Sequence, residues 1–113
     1  MLHFLVQFSY ASESVGEMIG QPHVDLAAQA SAMVSSLGAK LLGYWYAFGE
    51  FDGVVLMEAP DHISAASISM AIRSTGQVSR LETTVLFRMD EAQKAMGNVA
   101  GATHLPPGRK EKP

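Results

Sequence analysis

The sequence predicts an α+β domain in which one four-stranded antiparallel sheet carries its helices on a single face. Three observations predict it. Leu41 to Asp61 reads as two strand-length apolar runs folded about Gly49 and Glu50, a hairpin in mid-chain. On either side of that hairpin lies a helical apolar stripe closed by a glycine, Gly38 before it and Gly76 after it. Both ends of the folded stretch alternate with the period-two pattern of strands.

In chain order, residues 2 to 10 set Phe4, Val6, Phe8 and Tyr10 against His3, Leu5, Gln7 and Ser9, which predicts a first strand. Ser14 and Glu17 have capping-box spacing, so a short helical turn is expected over Val15, Met18 and Ile19 before Gly20. Pro22 suits a first helical position. Leu26, Ala30, Met33 and Leu37, with Ala27 and Val34, then form the first full stripe.

In the hairpin, one face is expected to hold Leu42, Tyr44, Tyr46 and Phe48 beside Phe51, Gly53, Val55 and Met57. The other holds Leu41, Gly43, Trp45 and Ala47 beside Asp52, Val54, Leu56 and Glu58. Asp61 is a natural N-cap for a helix whose stripe is Ala65, Ile68 and Ile72. Val78 to Arg88 alternates again as a fourth strand, and Asp90 is expected to cap a last short helix through Met96. Residues 1–96 thus read as one domain and 97–113 as a tail, with Pro106, Pro107 and four charges in the last five positions.

The order β-α-β-β-α-β is the split β-α-β, or ferredoxin-like, arrangement. Right-handed crossovers put both helices on one side of the sheet, and the opposite face is left with large apolar residues. A second copy of the chain is the expected cover, giving a homodimer whose two sheets close into an α/β barrel. Such an interface would bury roughly 1,000 Å² or more.

Composition narrows the function. The 113 residues are 48% hydrophobic and 17% charged, values of an ordinary single globular domain. A net charge of −3 with no basic cluster before Arg109 argues against nucleic acid and anionic membranes as partners. The absence of cysteine removes disulfides, thiolate nucleophiles and cysteine-ligated metals. No run approaches the ~18 apolar residues of a membrane span, and a cytoplasmic location is the expectation.

Four segments carry a family resemblance: FLVQFSY at 4–10, SLGAKLL at 36–42, YWYAFGEFD at 44–52 and EAPD at 58–61. Together they resemble the GYD-domain family over about residues 4–96. In the signature that names the family, a glycine is followed after one residue by Tyr-Asp. Here Gly49, Phe51 and Asp52 hold those positions, and phenylalanine for tyrosine removes a hydroxyl. The family is similar to dimeric α/β-barrel proteins, so the resemblance also implies a dimer. The wider barrel group includes cofactor-free monooxygenases, dehydratases, haem proteins and binding proteins, and a shared fold does not choose among them.

The densest candidate site is Tyr44, Trp45 and Tyr46 with Asp52. Tyr44 and Tyr46 share a face and could line a cavity for a flat ligand or donate hydrogen bonds to a carbonyl or enolate. Aromatic packing in a core or interface is the plainer alternative. Asp52 reads either as an acid or base with a pKa raised by apolar neighbours, acting with Tyr46, or as a turn residue accepting backbone hydrogen bonds. Glu58 reads as an edge or interface charge.

Of the histidines 3, 23, 62 and 104, no two have ligand spacing, so no metal is expected. His62 stands where a haem-binding relative could place an axial ligand, although an exposed first-turn histidine is commoner. The methionines read as core fillers. Serine-nucleophile, phosphate-loop and RNA-recognition signatures are missing.

The expected function is binding of a small apolar or aromatic molecule in a cavity of each subunit, without a permanent cofactor. A monooxygenase-like or isomerase-like reaction there is the catalytic version. The alternative is a non-catalytic module whose aromatic face serves self-association.

Overall fold

The computed structural model describes residues 1–103. The elements follow as β1 (Leu2–Tyr10), α1 (Ser12–Gly20), α2 (Leu26–Ser36), β2 (Lys40–Tyr46), β3 (Gly53–Ala59), α3 (His62–Ser74), β4 (Val78–Leu86) and α4 (Met89–Ala100). The four strands form one sheet in the order β2-β3-β1-β4, with every neighbouring pair antiparallel. This is the ferredoxin-like α+β arrangement that the sequence predicts.

Helices α2 and α3 cover one face. Phe4, Val6 and Phe8 of β1 and Val55, Met57 and Ala59 of β3 point toward them, and Val34, Ala65 and Ile68 close the core from above. Phe4, Met57 and Ile68 are buried completely or nearly so; at the usual transfer energies each contributes about 1.5–3 kcal/mol. Two glycines end the crossover helices as expected. Gly38 has φ +81° and Gly76 φ +72°, a left-handed backbone in which a Cβ would be strained. Asp61 caps α3, its carboxylate accepting from the Ser64 amide at 2.7 Å.

Several local expectations are corrected. Helix α1 starts at Ser12, so Ser14 does not cap it. The Ala11 amide is held by the Gln77 carbonyl at 2.8 Å, and the Ala11 carbonyl accepts from Val15 at 3.1 Å, which begins the turn directly after β1. Pro22 lies in the turn before α2; Asp25 takes the N-cap position, accepting from the Ala28 amide at 3.0 Å. Asp90 is inside the first turn of α4 rather than its cap. Glu91 reaches back to the Arg88 amide at 2.9 Å, and this fixes the start at Met89. Helix α4 also runs to Ala100, past Met96, where the last helix is expected to end. The remainder of the expected tail from residue 104, including His104, lies outside the described residues.

The hairpin strands are shorter than expected. Tyr46 pairs with Gly53, and residues 47–52 form a loop closed by the Ala47 amide on the Asp52 carbonyl at 2.8 Å. Phe48 at its tip is fully exposed. The register also slips between Leu41 and Gly43. This bulge turns Leu41, rather than Leu42, to the core side opposite Met57.

The sheet's other face carries Leu5, Gln7, Val54, Leu56 and Trp45, and among the described residues the helices packed on the sheet are α2 and α3, on the opposite side. Trp45 is 54% exposed. Its indole occupies the space over Gly43 that a Cβ would take. Helix α4 contains no buried residue, and Met89, Met96 and Val99 on it are all exposed. Among the described residues no helix is long and apolar enough to cross a membrane.

Candidate functional site

Alternation sends Phe8 and Tyr10 of β1, and Tyr44 and Tyr46 of β2, to the helix face. The strand between them is β3, and at this level it presents Gly53. Without a side chain there, the aromatic rings can meet across the strand. Phe8 sits edge-on to Tyr10 at 5.3 Å and to Tyr44 at 5.8 Å, and Tyr44 sits edge-on to Tyr46 at 6.0 Å. Such edge-to-face rings attract through their quadrupoles. The Tyr10 and Tyr44 hydroxyls meet in a short hydrogen bond.

This aromatic group forms one wall of a cleft of about 380 Å³ between the sheet and helices α1 and α2. Met18 and Glu17 contribute from α1, Gln29 and Met33 from α2, and the floor continues through Val55 and Met57. The volume is in the range of small-molecule sites, and so is the pattern of an apolar lining with a few polar groups.

Burial pushes the Tyr10 phenol up, and the hydrogen bond with Tyr44 and the nearby charges, including Asp52, push it further. Burial also raises Tyr44, against a lowering contribution from the Tyr10 hydrogen bond. Both are therefore neutral phenols at physiological pH. The shared bond uses one hydroxyl hydrogen, and the second can be offered to a ligand acceptor.

The sequence-predicted residues divide between the two sides of the sheet. Tyr44 and Tyr46 line the cleft. Trp45 faces the opposite side and is separated from them by the sheet itself. Asp52 is not among the cleft-lining residues; its carboxylate accepts the Tyr10 amide at 3.0 Å. At this point β1 and β4 slip register between Ser9 and Tyr10. Asp52 thus supplies a side-chain acceptor for the Tyr10 amide beside an irregular ladder, and holds Tyr10 in place. Phe51, where the family signature has tyrosine, is buried with the Arg80 guanidinium 4.4 Å above its ring. That packing does not require a hydroxyl.

Glu58 pairs with His3 at 3.3 Å on the open face. His62 is an exposed residue at the start of α3, edge-on to Phe4 at 6.0 Å. No group of three or more potential metal ligands occurs among the described residues.

Sequence reasoning does not mark Tyr10, Glu17 or Gln29 as site residues. For Tyr10 a signal exists, because alternation already places it on the Phe8 face. Its meeting with Tyr44 depends on strand order and register, which the local pattern does not encode.

A family model described as GYD domain matches residues 4–96. No curated protein matches the chain significantly. Among solved structures, TTHA0845 from Thermus thermophilus is similar at 19% identity, with 78% of this chain and 95% of that one covered and a TM-score of 0.54. Hypothetical protein PHS023 from Pyrococcus horikoshii is similar at 13% identity, with 78% and 92% covered and a TM-score of 0.50. An uncharacterized NIPSNAP domain protein from Burkholderia xenovorans is 15% identical over 78% of this chain and 94% of that one, with a TM-score of 0.49. For the first two, at such identities, the likeness concerns the fold alone.

Proposed function

The chain belongs to the GYD-domain family, and from that premise we propose that it is a homodimeric protein that holds a small, flat, largely apolar molecule in the cleft of each subunit. The observation that carries this reading is the cleft of about 380 Å³ walled by Phe8, Tyr10, Tyr44 and Tyr46. The apolar walls supply affinity, and the neutral phenol pair supplies direction. Tyr44 and Tyr46 contact the ligand in this reading, and Asp52 acts through Tyr10 as a positioning residue. A catalytic version would use the same phenols to stabilise an enolate oxygen.

A second copy of the chain covers the open sheet face, including Trp45 on the edge strand β2. The half-exposed Trp45 over Gly43 supports that part, because an indole of this exposure on the same face as Leu5, Val54 and Leu56 suits an interface. Trp45 therefore serves association in this reading, not the ligand. If the cleft takes no ligand, self-association alone is the remaining function.

The test is titration with prodan, a neutral naphthyl ketone whose emission shifts to the blue in apolar surroundings. Saturable blue-shifted emission at one probe per chain is expected, and Ala30→Trp, which fills the cleft from α2, abolishes it in protein shown to be folded by circular dichroism. Absent saturation, or saturation untouched by Ala30→Trp, contradicts the reading.

A further inference from the structure

We infer that the cleft selects its ligand by charge, admitting flat molecules that are uncharged or carry one positive charge and a hydrogen-bond acceptor, and turning away carboxylates and phosphates. The inference rests on the binding reading above and narrows it to a chemical class. Among the described residues that line the cleft, none is lysine, arginine or histidine, and Glu17 is the one that carries a charge. An anion entering would leave water with no cation to meet it, and burial of an unpaired charge is strongly unfavourable. The Glu17 carboxylate adds like-charge repulsion, which becomes attraction for an ammonium or amidinium group.

The hydroxyl pair sets the second requirement. Tyr10 and Tyr44 satisfy each other with one hydrogen, and burial holds both phenols protonated. The pair therefore presents one donor to the cleft, aimed from a wall of aromatic rings. A carbonyl, ether or hydroxyl oxygen on a flat ring system matches it. A ligand bearing only a hydrocarbon skeleton would leave that donor unused.

The test uses three probes that share one methoxynaphthalene ring system, whose ether oxygen is the acceptor: 4-methoxy-1-naphthylmethylamine as its ammonium ion, 4-methoxy-1-naphthalenemethanol and 4-methoxy-1-naphthoate. Each is titrated calorimetrically into the full chain at neutral pH, with naphthalene solubility-matched as the control lacking an acceptor. The ammonium is expected to bind about five-fold more tightly than the alcohol through Glu17, and the carboxylate at least about ten-fold more weakly than the alcohol. Glu17→Gln is expected to bring the ammonium within about two-fold of the alcohol and to leave the alcohol unchanged. The Tyr10→Phe, Tyr44→Phe pair is expected to weaken the alcohol while sparing naphthalene. The carboxylate binding as tightly as the alcohol, or a Glu17→Gln protein with the ammonium preference intact, overturns the charge inference and leaves the cleft reading standing. If no probe binds, the cleft reading falls and takes this inference with it.

Discussion

The ring of Phe8 lies over Gly53 of the neighbouring strand, so close that a Cβ built on the glycine would stand 2.6 Å from the ring edge. Phe8 in turn touches both Tyr10 and Tyr44 edge-on. The absence of one side chain thus lets three aromatic residues from two non-adjacent strands converge into the cleft wall.

Gly53→Ala is therefore expected to displace Phe8 and loosen the tyrosine pair. Both Gly53 and Phe8 are buried, so the ring has little room to move, and overpacking of this kind costs about 1–3 kcal/mol. Urea denaturation should show that loss. Gly43→Ala is the matched control: its Cβ meets the indole of Trp45, which is half exposed and can swing outward, so the stability loss should be smaller and the tryptophan emission should change.

Removing one hydroxyl of the tyrosine pair leaves the other without its partner. Tyr44→Phe and Tyr10→Phe should each cost about 1 kcal/mol. The double variant should cost less than the sum, because the second substitution removes the orphaned group. Additive losses in a double-mutant cycle would mean that the two hydroxyls do not interact.

The pair also gives the protein an alkaline limit. Both phenols are raised above the ordinary value of 10.0 in the folded state, chiefly by burial. The folded chain therefore holds these protons more tightly than the unfolded chain. The associated stability is fully present below about pH 10 and is lost as pH rises through the folded values. Urea midpoints measured between about pH 8 and about pH 11 should fall more steeply for the wild type than for the Tyr10→Phe, Tyr44→Phe variant. Parallel curves would remove the pair as the cause.

Dimer formation through the open face makes the single tryptophan its reporter. Light scattering is expected to give twice 12.1 kDa for the wild type, with Trp45 shielded from acrylamide. Leu56→Glu adds a charge to that face beside Glu58 and should shift the protein toward monomer. A wild-type monomer with a freely quenched tryptophan would contradict the proposed interface.

Much of the fold was legible because its signals are local. The alternation of Phe4, Val6 and Phe8, the Asp61 cap and the stops at Gly38 and Gly76 each depend on a few neighbouring residues. The bulge at Leu42 and the early close of the hairpin at Tyr46 and Gly53 were hidden, since apolar residues on both strand faces allow more than one phase. The candidate site was half legible for the same reason. Alternation separates Trp45 from Tyr44 and Tyr46, but only the pairing of β3 between β1 and β2 brings Tyr10 to Tyr44. Asp52 stood out as an acid beside aromatic residues, and its bond to the Tyr10 amide appears only once the register slip after Ser9 is known.

Methionine placement offers the most direct test that the cleft is the binding site. Met18, Met33 and Met57 line it, whereas Met70, Met89 and Met96 do not. With methyl-labelled methionine, titration of 1-naphthalenemethanol followed by NMR should move the first three signals in a saturable way and leave the last three in place. Movement confined to Met70, Met89 or Met96, or no saturable movement at all, would contradict the assignment of the cleft.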